Sequence, residues 1–134
     1  MKKLTLALAF FPLALFAGKT ERAFTNDHVK PAIKAAEGAY KAACGCDLKI
    51  TFTEDKFKSY DDLSKVKSVA DSVATGAKAH CTDAESKKAV CAMKSLEITK
   101  GTQTAFTVSG GRGLASCDTS TSVSWEMMID QLDN

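Results

Sequence analysis

Cys44-Gly45-Cys46 places two thiols one residue apart. Such a pair can cycle as a redox couple, chelate a soft metal ion, or be oxidised into structural bridges. Three further cysteines, Cys81, Cys91 and Cys117, supply partners, and His80 precedes Cys81 directly. A redox couple needs a depressed thiol pKa, from a helix N-terminus or a nearby cation. Cys44 instead closes a helical pattern, where the helix dipole disfavours a thiolate. Structural disulfides are therefore the leading reading, with no metal and no cofactor. A thiol-based metal or redox centre on Cys44, Cys46, His80 and Cys81 stands as the alternative.

The pairing follows from helix geometry. Thr82-Asp83-Ala84-Glu85 reads as a capping box that opens a short helix, with Cys81 before it and Cys91 near its end. A rise of 1.5 Å per residue puts those two cysteines roughly 13–15 Å apart. A disulfide needs Cα atoms within about 7 Å. Cys81 and Cys91 must then each reach the Cys44/Cys46 pair, in an order the sequence leaves open, and Cys117 stays unpaired. A Cys44–Cys46 bridge and a bridge through Cys117 remain as other pairings.

Other reactive residues have plainer explanations. His80 and Cys81 are neighbours, and neighbours on a helix diverge by about 100°, so adjacency does not make a dyad. His80 reads as a helix C-terminal cation and His28 as an exposed first-turn residue. Glu54-Asp55 and Asp61-Asp62 are paired carboxylates, but a glycosidase needs two carboxyls facing across a cleft. The first pair begins a solvated charged connection, and the second suits a helix start. No catalytic residue is assigned. Ser109-Gly110-Gly111-Arg112-Gly113 lacks the spacing of a phosphate-binding loop. It reads as a hairpin tip, and Gly110, Gly111, Arg112 and Gly113 form the candidate partner-contact loop. Trp125, Met127 and Met128 make an apolar cluster that reads as core, with Met127 a candidate docking residue.

The elements that position these residues follow from periodicity. Asn26 or Asp27 can cap a first helix, in which Val29, Ile33, Ala36, Tyr40 and Ala43 share one face. Pro31 falls in its first turn, and Gly45 ends it. Leu48, Ile50 and Phe52 alternate with polar residues, as in a strand with one buried face. Ser59 caps a second helix with a stripe from Leu63 to Ala77, which Gly76 weakens. After the short third helix, residues 96–98, 104–108 and 112–117 read as three strands. Gly110-Gly111 makes a tight hairpin between the last two. Residues 122–132 suit either a strand or a helix; a helix capped by Ser122 is the reading adopted. The fold class is α+β, in the order α-β-α-α-β-β-β-α. The expected sheet is small and mostly antiparallel: one N-terminal strand plus a three-stranded meander, packed on helices and stapled by disulfides.

The chain opens with Met1-Lys2-Lys3, and residues 4–17 then carry no charge. That run is short of the roughly 20 apolar residues that span a bilayer. With Ala17 and Gly18 at its exit it reads as a cleavable secretory signal at 1–17 of bacterial type. A loose segment at 18–25 and a single domain at 26–134 would follow. The destination is the periplasm or the extracellular medium, with no stable membrane anchor after cleavage. The formal charge is +2 and two of the lysines lie in the signal, so the remainder is near neutral. Near-neutral charge argues against nucleic acid, and the scarcity of arginine argues against phosphate ligands. These features together predict a non-enzymatic, disulfide-stabilised binding or inhibitor-like module of the envelope or medium. It would act on a protein partner, as a monomer or as a Cys117-linked dimer.

Overall fold

The computed structural model describes residues 20–133. The expected signal at 1–17 lies outside the described residues. Four α-helices pack against a four-stranded sheet, so the chain is α+β. The helices are α1 (Lys30–Cys44), α2 (Tyr60–His80), α3 (Ala84–Val90) and α4 (Trp125–Leu132). The strands are β1 (Lys49–Phe52), β2 (Ser95–Lys100), β3 (Ala105–Ser109) and β4 (Arg112–Cys117).

The first helix begins earlier than Asn26 or Asp27. Residues 20–24 are already helical, where a loose segment was expected, and a π turn, Thr25–Val29, joins them to α1. Pro31 explains the widened turn. It has no N–H to donate, and its ring crowds the carbonyl four residues back. The turn ahead of it opens, and Lys30 N–H reaches Thr25 O instead. Gly45 ends α1 in the left-handed region, φ 79°, and donates to Lys41 O. Ser59 Oγ caps α2 by accepting from Asp62 N at 3.1 Å. Two caps differ from the sequence expectation. Asp83, not Thr82, caps α3 through Ser86 N (2.7 Å). Ser124, not Ser122, caps α4 through Met127 N (3.4 Å), and residues 125–132 are helical rather than extended.

The sheet is mixed, with strand order β1-β2-β4-β3, and not mostly antiparallel. β1 runs parallel to β2, β2 parallel to β4, and only β3–β4 is antiparallel. Helices α2 and α3 lie between β1 and β2, and a connection of that length allows a parallel pair. The expected meander fails at residues 101–104. This link carries the chain past β4, which inserts between β2 and β3. Gly101 lies at the crossing: a Cβ there would stand 2.3 Å from Ser116 Oγ, so the Ser116 hydroxyl would have to turn away. Its N–H donates to Cys117 O at 2.9 Å, tying the link to the end of β4. The β3–β4 hairpin turns through Gly110 (φ 59°) and Gly111 (φ 80°), both in the left-handed region that a two-residue turn of this hand needs.

The buried face of the sheet is in register. Ile50, Leu96, Gly113 and Val108 form one row across the four strands; Phe52, Ile98, Ala115 and Phe106 form the next. Gly113 leaves space that Met93 Sδ and the Phe106 ring fill. Tyr40 is fully buried, and its hydroxyl donates to the carbonyl oxygens of Val90 and Met93, anchoring α1 to the end of α3. Burial pushes its pKa upward. Trp125 lies on Gly76, where a Cβ would come within 2.1 Å of its Cγ. The glycine that weakens α2 as a helix is thus the seat for α4.

Candidate binding groove

The cysteines are placed by helix ends. Cys44 closes α1 and Cys81 follows α2; they bridge, with Cα atoms 5.2 Å apart. Cys46 lies just past Gly45 and bridges Cys91, at the C-terminal end of α3, with Cα atoms 5.9 Å apart. Gly45 turns the chain between the two bridges, so adjacent sulfurs reach different helices. Cys117 is the free thiol and is fully buried at the end of β4, where burial raises its pKa. A Cys117-linked dimer would require opening the core.

These bridges occupy three of the four residues of the alternative metal set Cys44, Cys46, His80 and Cys81. Among the described residues, no group of three His, Cys, Asp or Glu side chains is arranged to hold a metal ion. His80 instead lies 3.6 Å from Asp133 and edge-on to Trp125. The paired carboxylates do not form a cleft. Glu54 and Asp55 sit exposed on a 3-10 turn. Asp62 is partly desolvated, which raises its pKa, yet hydrogen bonds from Lys100 and Ser59 bring it below the usual aspartate value. Its carboxylate accepts from Lys100 Nζ at 2.9 Å, tying α2 to β2. Among the described residues, no helix is long and apolar enough to cross a membrane.

The candidate contact loop forms the tip of the β3–β4 hairpin. Gly110 and Arg112 are exposed, but Gly113 is buried. Gly111 O accepts from Lys94 N (2.7 Å) and Ser95 N (3.1 Å), binding the tip to the start of β2. Met127 is half-buried and Met128 fully buried, so the C-terminal cluster belongs to the core.

A different surface combines the features of a binding site. Two adjoining clefts, of about 530 Å³ and about 320 Å³, share Lys30, Phe52 and Glu54. The smaller runs between α1 and the outer edge of β1, lined also by Ile33, Lys34, Glu37 and Lys49–Thr51. The larger continues past Phe57 and Leu63 to residues 21–26. β1 is an edge strand. Lys49 and Thr53 donate to Lys94 O and Ile98 O on the β2 side, each at 3.1 Å. Alternation along a strand therefore turns the amides of Ile50 and Phe52 to the open edge. There Ile50 N–H donates to Glu37 Oε2 at 2.8 Å. Glu37 stands one turn beyond Ile33 on α1, so its carboxylate reaches across the groove to the strand. Lys30, Lys34 and Lys49 are exposed, and none has an ion-pair partner among the described residues.

Sequence reasoning read Ile33 and Ile50 as core residues and passed over Glu37. An acid on the flank of an amphipathic helix looks like solvated surface until the strand beside it is known. Comparison with protein-family models, with curated proteins and with solved structures finds no match for this chain.

Proposed function

We propose that the chain is an exported, disulfide-braced binding module, and that its receptor surface is the groove between α1 and the open edge of β1. The carrying observation is the edge itself. The backbone hydrogen-bonding edge of β1, an apolar floor of Ile33, Ile50 and Phe52, and lysines with no ion-pair partner among the described residues meet along one concave surface. Small sites are typically concave and apolar with a few convergent polar groups, and this groove has that composition. Two disulfides are consistent with a compartment outside the cytoplasm, in keeping with the export signal read in the sequence. The bridges hold the ends of α1, α2 and α3 together, which keeps the groove wall rigid and lowers the ordering cost of binding.

The test is amide chemical-shift mapping of the oxidised protein titrated with a pool of random-sequence heptapeptides. Shifts should cluster on residues 30–37 and 49–52. Shifts confined to Gly110–Gly113, or none at millimolar peptide, would refute this reading.

A further inference from the structure

We infer that the groove takes an extended acidic segment of a partner protein, added as a fifth strand beside β1, and that Glu37 holds the place of the missing strand. This inference rests on the groove reading above. Glu37 Oε2 accepts the Ile50 N–H at 2.8 Å, the contact a neighbouring strand's carbonyl would make. A side-chain acceptor can withdraw by rotation, so an incoming backbone can displace it without disturbing the sheet. Main-chain pairing would supply affinity, and alternate side chains specificity. On the helix side, apolar side chains of the added strand would cover Ile33 and Phe52. On the other side, acids would meet Lys49, whose side chain alternates with those of Ile50 and Phe52.

Charge selects the occupant. Lys30, Lys34 and Lys49 line the groove without an ion-pair partner among the described residues, and they outnumber its acids, Glu54 and the strand-bound Glu37. A second copy of this chain would bring the same three lysines against their counterparts, and edge lysines of this kind discourage self-pairing. An acidic segment gains where a second copy is repelled. At the opposite edge of the sheet α4 packs near β3, and Thr104 just before that strand bonds Thr121, whereas the groove and its lysines lie at β1.

The experiment is fluorescence anisotropy with a labelled, end-blocked peptide Val-Glu-Val-Glu-Val-Glu-Val and the oxidised protein. The acidic peptide should bind, and added salt should weaken it. The matched Val/Lys peptide should bind at least about tenfold more weakly, from like-charge repulsion in the groove. Glu37→Ala should tighten the acidic peptide about tenfold, by removing both the competing acceptor and a like charge. Glu37→Gln, which keeps an acceptor and the packing, should tighten it less. An acidic peptide N-methylated at alternate residues, in both phases, should lose binding in the phase that faces β1. Equal binding of both N-methylated forms would overturn strand addition while leaving the groove reading intact. Equal binding of the Val/Lys peptide would overturn the acidic partner. Absence of binding to wild type and both variants would overturn the inference, with the groove reading still decided by its own shift map. A peptide-free dimer in sedimentation, broken by Lys49→Glu, would replace the partner with a second copy and overturn it too.

Discussion

Gly76 and Asp118 show what single residues do here. Replacing Gly76 with alanine improves helix propensity by about 1 kcal/mol. The new Cβ would lie 2.1 Å from Trp125 Cγ, and overpacking of a core costs about 1–3 kcal/mol, occasionally more. Gly76→Ala should therefore lower stability in urea unfolding, by up to about 2 kcal/mol. A more stable variant would mean that Trp125 does not need this seat. Asp118 works by hydrogen bonding. Its carboxylate accepts from Thr121 N–H (2.6 Å) and Ser120 N–H (2.8 Å), which lowers its pKa to about 2. The folded pKa lies below the ordinary aspartate value near 3.9. Its stabilisation is thus complete above that value and lost as pH falls through the folded one. Amide exchange at Ser120 and Thr121, corrected for intrinsic rates, should lose protection between about pH 4 and pH 2. Protection unchanged across that window would show that other contacts hold the turn.

At the scale of elements, the Cys46–Cys91 disulfide holds a helix too short to make many contacts of its own. α3 is one of the shortest helices, with only seven residues, and isolated helices of that length are marginal. Cys46–Cys91 and the Tyr40 hydroxyl pin its C-terminal end to α1. The bridges span sequence separations of 37 and 45 residues. Loops of that size give about 4 kcal/mol each in the chain-entropy account. Cys46→Ser together with Cys91→Ser should lower the unfolding free energy by about 2–5 kcal/mol. The denaturation midpoint checks it, and an unchanged midpoint would mean that α3 is held without the bridge. The sheet shows where periodicity stops informing. Leu96 and Ile98 alternate identically in a parallel or an antiparallel pair. Strand order depended on the path of the 101–104 link past β4 and on helices α2 and α3 between β1 and β2.

For the whole molecule, one thiol-counting experiment tests the cysteine arrangement. Alkylation of the native, unreduced protein should modify no thiol, because Cys117 is buried and its raised pKa keeps it protonated. Denaturation without reduction should expose one thiol, and reduction five. Modification of two or more thiols before reduction would mean an open bridge. The sequence by itself determined the α+β class and the main helix spans. It also showed, through the length of one short helix, that Cys81 and Cys91 cannot join each other. These rest on local periodicity, caps and rise per residue, all of which act within a few turns of chain. Tertiary structure alone decided which thiol meets which, the place of β4 between β2 and β3, and the meeting of Glu37 with the edge of β1. Each of these joins residues far apart along the chain or across a turn whose direction is set by packing, and no local pattern records that distance.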